Sequence, residues 1–484
     1  MSGQDMRYRE FWGLTVHGML ARLAERYGDS ILFTWRRGGA AHAVTYGEFF
    51  RDVRRLAARL AALGLQGKPV VIDMRNSYEQ VAALFAASSM GAVAAPLSFD
   101  LPLEDLRDLI GRIGPRLLIC DELDLELVPE LGLPEGCVLL PCLEGADSAA
   151  GVLAGDGPLW QETEGLSPDD PALLLATSGS TSRSKLVLLS HYGLVPHGEF
   201  MPSGRVLHVL PLYHVAGLGT LSAYMAQGSE FCLSDLGRGA ADLTWFRPTD
   251  LFAVPAFVSL LVRQSRMGRL DLSGIRSISS GGAPQNLETV AYLNGLGIFS
   301  MSLYGATETA AMVDYSTPEH YRFGSVGRVG PWNQVRFSPQ GEILVKGKNV
   351  MLGYLNDPEA TAQALEDGWY HTGDLGYLDE DGFLFVTGRL KNVIILSNGE
   401  NVSPEAVESK LSRCPAIAEV IVRGEDDRIA AEIWCGERDG EELRAQARDF
   451  IARYNRAVPS YQAVRRTHFR DAAFEKTATG KLKR

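Results

Sequence analysis

Short apolar runs alternate with helical segments along the first two thirds of the chain, and this alternation restricts the fold more than any other feature. Residues 70–72, 92–97, 117–120 and 207–210 are predicted strands, and residues 103–113 are predicted to form a helix. Between such runs lie amphipathic segments, one of which opens on Thr45 and Glu48 at capping-box spacing. This order predicts a doubly wound α/β domain.

The pattern changes twice toward the C-terminus. From about residue 326 strands and short turns dominate, with a hairpin predicted around Asp381 and Gly382. After Gly388 two strands and an amphipathic helix at 441–454 indicate a small α+β module. We therefore predict an α/β fold: a large N-terminal domain, residues 1–390, with doubly wound mixed sheets and a β-rich subdomain, and a small α+β C-terminal domain, residues 391–484.

Composition limits the possible functions. The 484 residues are 46% hydrophobic and 22% charged, which is typical of soluble globular chains with more than one domain. A formal net charge of −12 argues against a general nucleic-acid binder. Six scattered cysteines without a C-x-x-C pair indicate neither a disulfide framework nor a zinc site. The first residues lack the apolar region of a signal peptide, so we expect a cytoplasmic protein, either monomeric or homodimeric.

One stretch joins an apolar strand to a loop of hydroxyl residues. Residues 172–176 are apolar, and Thr177, Ser178, Gly179, Ser180, Thr181 and Ser182 follow them, with Arg183 and Lys185 closing the loop. The backbone N–H groups of small residues can line an anion-binding concavity, and hydroxyls and cations add donors for phosphate. The P-loop spacing is missing, and an ordinary Ser/Gly surface loop is the alternative.

Two carboxylates follow strand-like runs at positions suited to nucleotide chemistry. Glu308, in the sequence Tyr304-Gly-Ala-Thr-Glu308, could hold Mg²⁺, and Tyr304 could stack on a base. Asp374, on the turn Thr372-Gly-Asp374, could accept two ribose hydroxyls. A plain helix start and a plain turn are the respective alternatives.

Further candidates lie after an apolar run in the middle of the chain and in the C-terminal part. His214 follows Leu210-Pro-Leu-Tyr, although a lone histidine is more often a core residue. Gly399 lacks a side chain and would leave room for a thin ligand beside a helix that starts at Pro404. Lys481 lies in a basic tail of the kind that is usually frayed.

Together these motifs, from about residue 171 to the end, resemble those of the adenylate-forming superfamily: acyl- and aryl-CoA synthetases, peptide-synthetase adenylation domains and luciferases. The match includes Tyr304-Gly-Ala-Thr-Glu308, Asp374 about fifteen residues before Arg389, and the Lys-Thr-x-x-Gly-Lys ending. The phosphate loop departs from the family pattern. Ser182, Ser184 and Leu186 stand where the family has Gly, Pro and Gly.

The resemblance implies roles for individual residues. It implies that Glu308 binds Mg²⁺, and that Lys481 neutralises charge while the acyl-adenylate forms. His214 would gate the carboxylate end of the acid, Lys391 would be the hinge of a mobile lid, and Gly399 would border the path of coenzyme A. It places ATP or AMP against Thr177, Ser178, Gly179, Ser180, Thr181, Lys185, Gly282, Ala283, Pro284, Tyr304, Gly305, Thr307, Asp374 and Arg389.

The implied function is ATP-dependent activation of a carboxylic acid to acyl-AMP, followed by transfer to the thiol of coenzyme A. Residues 388–399, 458–461 and 470–477 look most like long-chain acyl-CoA synthetases, which favours a fatty or bulky apolar acid. Aryl and terpenoid acids stay open as alternatives, because bacterial ligases for those acids share much of the same sequence. Residues 215–229 contain no carboxylate to pair an ammonium group, so an amino-acid substrate is disfavoured. The alternatives are an adenylation enzyme that loads a carrier protein, and a catalytically weak acyl-nucleotide binding protein.

Overall fold

The structure is a computed structural model. It describes residues 10–98, 100–143, 148–162, 165–177, 184–195, 203–283, 286–310, 313–318, 320–397, 400–437, 439–476 and 482. Its α-helices are α1 (Val16–Tyr27), α2 (Tyr46–Ala62), α3 (Tyr78–Ser89), α4 (Leu103–Ile113), α5 (Ala149–Ala154), α6 (Val215–Met225), α7 (Gly239–Phe246), α8 (Pro255–Arg266), α9 (Leu287–Gly295), α10 (Pro358–Ala364), α11 (Pro404–Leu411) and α12 (Glu441–Ala457).

The strands of the first two thirds of the chain are β1 (Ile31–Arg37), β2 (Ala40–Thr45), β3 (Pro69–Asp73), β4 (Val93–Leu97), β5 (Leu117–Asp121), β6 (Val138–Cys142), β7 (Pro171–Ala176), β8 (Leu186–Ser190), β9 (Arg205–His208), β10 (Glu230–Leu233), β11 (Asp250–Ala253), β12 (Ser277–Gly281) and β13 (Phe299–Leu303). The later strands are β14 (Asp314–Tyr315), β15 (Gly327–Val329), β16 (Asn333–Phe337), β17 (Glu342–Gly347), β18 (Gly353–Tyr354), β19 (Leu365–Glu366), β20 (Trp369–Leu378), β21 (Phe383–Arg389), β22 (Ile394–Ile395), β23 (Asn401–Val402), β24 (Glu419–Glu425), β25 (Arg428–Trp434) and β26 (Val464–Arg470).

Local sequence signals explain how several helices begin. The Thr45 hydroxyl accepts a hydrogen bond from the Glu48 N–H, and the Glu48 carboxylate accepts one from the Thr45 N–H. This reciprocal capping box satisfies two N–H groups that would otherwise lack a partner at the start of α2. Ser77 and Ser403 cap α3 and α11 in the same way through their hydroxyls.

Two sheets form the large N-terminal region. The first has the order β13-β12-β11-β9-β10-β1-β2 and is parallel except for its edge strand β2. The second has the order β18-β8-β7-β4-β3-β5-β6, in which β7, β8 and β18 pair antiparallel. Both are mixed sheets.

Helices α3 and α6 belong to the core that the two sheets share. Every residue of α3 is buried, and so are all but one of α6. Helices that are buried on every side are expected only in such interior positions. The opposite face of the first sheet is covered by α7, α8 and α9, through residues such as Leu243, Leu261 and Leu293. Helix α4 covers the opposite face of the second sheet.

The C-terminal third is β-rich and then α+β, as predicted. Strands β14 to β17 and β19 to β21 form an antiparallel sheet that packs on the shared core through Ile343, Val345 and Leu384. Strands β24, β25 and β26 form a separate small sheet with its own core, which includes Val407, Ile433 and Ile451. The structure confirms the predicted fold class. The boundary between residues 390 and 391 stays a prediction.

Among the described residues, no helix is both long enough and apolar enough to cross a membrane.

Candidate active site

The site begins where two parallel strands of the first sheet end. Strands β12 and β13 pair in register, with Gly281 opposite Leu303. The residues that follow them therefore emerge at the same edge, where ligands of open α/β sheets bind. Gly282 has a φ of +81° and no atom within 4 Å of the position that a Cβ would take. Gly282 is exposed, and Ala283, which follows it, is partly buried. This leaves bare backbone facing open space at the predicted adenine pocket.

Tyr304, Asp374 and Arg389 converge beside this edge. The Tyr304 hydroxyl donates to Asp374 Oδ2 over 2.9 Å, and Arg389 Nε contacts Asp374 Oδ1 at 2.6 Å. Asp374 and Arg389 lie directly opposite each other on the antiparallel strands β20 and β21. We call these three residues the ribose cluster. Burial first, and the Asp374 carboxylate second, raise the pKa of Tyr304, so its hydroxyl remains a donor at neutral pH.

A buried carboxylate that the sequence analysis did not single out supports the Asp374 turn. Glu342 accepts a hydrogen bond from the Gly373 N–H at 2.9 Å and contacts His371 Nδ1 at 3.1 Å. Gly373 has a φ of +69°, a conformation that favours glycine. The turn is closed further by Thr372, whose hydroxyl donates to the Ile343 carbonyl and accepts from the Asp374 N–H. Glu342 thus fixes the backbone that presents Asp374.

Lys185, Tyr354 and Glu308 form a second group, which we call the phosphate cluster. The Tyr354 hydroxyl donates to Glu308 Oε1 over 2.9 Å, and Lys185 Nζ lies 4.4 Å from the centre of the Tyr354 ring. The pairing of β18 with β8, in which Tyr354 lies opposite Val187, brings this tyrosine to Lys185. Burial, reinforced by the Glu308 carboxylate, raises the pKa of Tyr354. Tyr354 was not among the predicted site residues.

The buried tyrosine Tyr370 has a pKa that depends on residues of both clusters. Burial raises the pKa of Tyr370, and the charges of Glu308 and Asp374 raise it further. The neighbouring Tyr304 and Tyr354 hydroxyls act in the same direction. Tyr304 of the ribose cluster and Glu308 of the phosphate cluster are only four residues apart in the chain, so the two clusters adjoin each other.

The phosphate loop is described only at its two ends. The Thr177 N–H donates to the Lys185 carbonyl, and the Lys185 N–H donates to the Thr177 hydroxyl. Leu186, which replaces a family glycine, is buried in β8 as part of the core. The predicted residues Ser178, Gly179, Ser180 and Thr181 lie outside the described residues, as do Pro284, Gly399 and Lys481.

The remaining predicted residues occupy loops and turns around the clusters. Gly305 and Thr307 are partly buried, and Thr307 begins a short 3-10 turn that carries Glu308. His214 precedes the first residue of α6, and its ring centre lies 5.6 Å from that of Tyr213. Lys391 lies in the 3-10 turn Leu390–Asn392 between β21 and the C-terminal elements.

The donor set at Glu308 suits magnesium. Mg²⁺ takes oxygen ligands and is usually held by one or two carboxylates together with substrate phosphates. Among the residues that the structure describes, no group of three or more His, Cys, Asp or Glu side chains could enclose a metal ion. The Glu308 carboxylate, next to the hydroxyl residue Thr307 in the chain, is a donor that could hold Mg²⁺ together with substrate phosphates.

Comparisons with known proteins agree with this geometry. Residues 20–355 match the family model described as AMP-binding enzyme, and residues 391–484 match that of the AMP-binding enzyme C-terminal domain. The chain belongs to the AMP-binding enzyme family. Its class is therefore that of an AMP-forming acid–thiol ligase, as the motifs predicted.

Relatives with similar sequences are CoA ligases. Feruloyl-CoA synthase of Amycolatopsis sp. is 34% identical over 451 residues, which cover 87% of this chain and 89% of that protein. Indoleacetate–CoA ligase of Aromatoleum aromaticum is 31% identical over 429 residues, covering 81% and 82%. The crystal structure of ATP-bound MatB from Rhodopseudomonas palustris superposes with a TM-score of 0.83 at 26% identity, over 97% of both chains.

Proposed function

We propose that this protein activates a bulky apolar carboxylic acid with ATP and transfers the acyl group to coenzyme A. The observation that carries the proposal is the adjacency of the ribose and phosphate clusters at the end of β13. The first presents a buried carboxylate and an aromatic ring to a nucleoside, and the second presents a cation and a carboxylate to phosphates.

We assign the nucleotide as follows. The ring of Tyr304 stacks on adenine beside the open backbone of Gly282 and Ala283. Asp374, held by Tyr304 and Arg389, accepts the ribose hydroxyls. Lys185 and the hydroxyls of the loop after Thr177 bind phosphate oxygens. Glu308 holds Mg²⁺, which supplies charge neutralisation on the phosphates when bound.

In the first step a carboxylate oxygen of the acid attacks the α-phosphorus of ATP, and pyrophosphate leaves. Lys481 neutralises the negative charge that grows on the phosphate in the transition state, which requires no proton transfer. In the second step the thiol of coenzyme A attacks the acyl carbon, loses its proton and displaces AMP. We propose that the region after Lys391 swings between the steps, so that Lys481 withdraws and Gly399 borders the thiol.

An apolar acid suits the surface between α6 and the first sheet. Helix α6 is buried along almost its whole length and carries no carboxylate. A Cβ on Gly281 would lie 3.0 Å from the ring of Phe252, so an aromatic side chain borders the end of β12. The names of two relatives specify aromatic acids, feruloate and indoleacetate. These features support an aromatic acid first, with a long-chain fatty acid as the competing substrate.

The test is a substrate panel. The protein is mixed with MgATP, coenzyme A and a pool of aromatic, fatty and terpenoid acids, and new thioesters are identified by mass spectrometry. We expect an aromatic thioester that Lys481→Ala abolishes and Lys483→Ala, a matched change in the same tail, does not. Acyl-AMP and pyrophosphate without a CoA thioester would instead indicate transfer to a carrier protein. A fatty thioester alone would overturn the aromatic preference. The expected cytoplasmic location and the oligomeric state stay predictions.

A further inference from the structure

One carboxylate binds the start of the C-terminal tail, by which we mean residues 471–484, to the small sheet of β24, β25 and β26. Glu419, the first residue of β24, accepts a hydrogen bond from the Phe474 N–H through Oε2 at 2.8 Å. Its other oxygen, Oε1, lies 2.6 Å from the ammonium of Lys476. The Glu419 side chain is only 9% exposed, whereas that of Lys476 is 44% exposed, so the carboxylate side of this ion pair is the one shielded from water. Both oxygens of one buried carboxylate thus hold the tail.

Neighbouring contacts fix the same segment. The Arg470 guanidinium lies 3.9 Å from the centre of the Phe474 ring and donates to the carbonyls of Ala472 and Ala473. Phe474 is buried, and Asp471 binds Arg444 of α12. The tail is therefore ordered as far as Lys476 by several independent contacts, of which Glu419 makes the last two.

The contact between Glu419 and Lys476 is near the predicted catalytic lysine, Lys481, in the chain. Lys476 forms an antiparallel bridge with Leu482, so the chain returns to the point where Glu419 holds it. Lys481 is the residue immediately before Leu482. Contacts that hold the Lys476–Leu482 bridge therefore also hold the backbone of Leu482, the residue next to Lys481.

We propose that Glu419 is a positioning residue for the adenylation step, acting through Lys476 and the bridge on Lys481. This inference rests on the proposed function, in which Lys481 serves the first step and withdraws for the second. Glu419 then matters to acyl-AMP formation and not to thioester formation. A merely structural carboxylate would affect both steps alike.

The experiment measures the two half-reactions separately. Acyl-AMP formation is followed by exchange of labelled pyrophosphate into ATP, using the acid that the wild type activates fastest. Thioester formation is followed from the corresponding synthetic acyl-AMP and coenzyme A. A misplacement of about 1 Å can cost 10²-fold in rate, so we expect Glu419→Ala to slow exchange by about ten-fold or more. We expect thioester formation to stay within about two-fold of the wild type.

Three further variants separate the contacts. Glu419→Gln keeps an acceptor for the Phe474 N–H but loses the charge, and Lys476→Gln removes the ion pair from the other side. We expect both to slow pyrophosphate exchange by less than Glu419→Ala does, and to leave thioester formation unchanged. The control is Glu425→Gln, on the same strand, whose carboxylate pairs with Arg466 and His468 away from the tail. It should leave both half-reactions unchanged.

A measurement independent of activity completes the test. Hydrogen exchange of peptides spanning residues 470–484 should be faster in Glu419→Ala than in the wild type and the Glu425→Gln control. Three results for Glu419→Ala would overturn the proposal. They are equal losses of rate in both half-reactions, a rate of pyrophosphate exchange equal to that of the wild type, and unchanged hydrogen exchange. A wild type that activates no acid would overturn the proposed function instead, while hydrogen exchange would still report on the contact.

Discussion

The hydroxyl of Tyr304 donates to Oδ2 of Asp374 over 2.9 Å, although 70 positions separate the two residues in the chain. The Asp374 side chain is 9% exposed, and Arg389 contacts its other oxygen. The carboxylate is therefore oriented from both sides before any ligand arrives. Such preorganisation lowers the entropy lost when the ribose binds.

Removing only the Tyr304 hydroxyl should weaken nucleotide binding. Tyr304→Phe keeps the ring for adenine but removes the hydroxyl that donates to Oδ2 of Asp374. Since a hydrogen bond to a charged group contributes about 1.5–3 kcal/mol, we expect the Kd for ATP, measured by calorimetry, to rise about ten-fold. Tyr377→Phe is the control, because that tyrosine is exposed and stacks on Phe385 instead. An unchanged Kd in Tyr304→Phe would contradict the assignment of the ribose cluster.

Tyr354 should govern the response to magnesium. Tyr354→Phe leaves an aromatic ring under Lys185 but removes the donor that orients Glu308. We expect the Mg²⁺ concentration for half-maximal activity to rise several-fold, while ATP binding without Mg²⁺ changes little. Tyr354→Leu should also weaken ATP binding, since it removes the ring beside Lys185 as well. Identical magnesium curves for the wild type and Tyr354→Phe would show that Glu308 does not need this contact.

Glu342 should contribute to both stability and nucleotide binding. Glu342→Ala leaves the Gly373 N–H without its acceptor in a buried turn, which costs about 1–3 kcal/mol of unfolding free energy. Urea denaturation should register this loss, and the Kd for ATP should rise because the Asp374 turn loosens. Glu380→Ala, at an exposed turn position, should change stability by less than about 0.5 kcal/mol. Equal effects of the two substitutions would refute a role for Glu342 in supporting the turn.

Buried histidines should make the protein less stable in mild acid. Burial lowers the pKa of His208 to about 4, from an ordinary value of 6.5. The unfolded imidazole binds a proton below pH 6.5 and the folded one does not, so unfolding becomes easier as pH falls from 6.5 to 4. The loss from this residue is about 3 kcal/mol at most, and it levels off below the folded pKa.

His191 should act in the same direction. Burial lowers its pKa to about 4, and its Nδ1 accepts a hydrogen bond from the Val16 N–H, which a proton on that nitrogen would break.

The free energy of unfolding, measured between pH 7 and 4, should fall less steeply in His208→Leu than in the wild type. His320→Gln, at an exposed position, should leave the slope unchanged. Parallel curves for His208→Leu and the wild type would contradict this account.

Much of the fold was predictable because local signals and the tertiary structure agree. The helix predicted at 103–113 is observed with the same bounds, and the predicted strand at 117–120 is one residue longer. The strand predicted at 207–210 is instead Arg205–His208. Val209 and Leu210 are buried in the loop before Pro211, so apolar residues there did not mark a strand.

The motifs located the charged members of the site but not the residues that orient them. Lys185, Glu308, Asp374 and Arg389 stand in recognisable sequence patterns, and the structure brings them together in two adjoining clusters. Tyr354 and Glu342 belong to no motif that the sequence analysis used. They reach the site through strand pairing between distant segments, β18 with β8 and β17 with β20, which composition and periodicity do not reveal.

The central claim is that the two clusters bind one ATP molecule whose α-phosphate receives the acid. Quantifying the nucleotide products of the wild type, by chromatography with MgATP, coenzyme A and the preferred acid, tests this claim most directly. We predict AMP and pyrophosphate in equal amounts with the thioester, and loss of all three in Asp374→Ala. ADP and phosphate as the products, or a thioester formed equally well by Asp374→Ala, would contradict it.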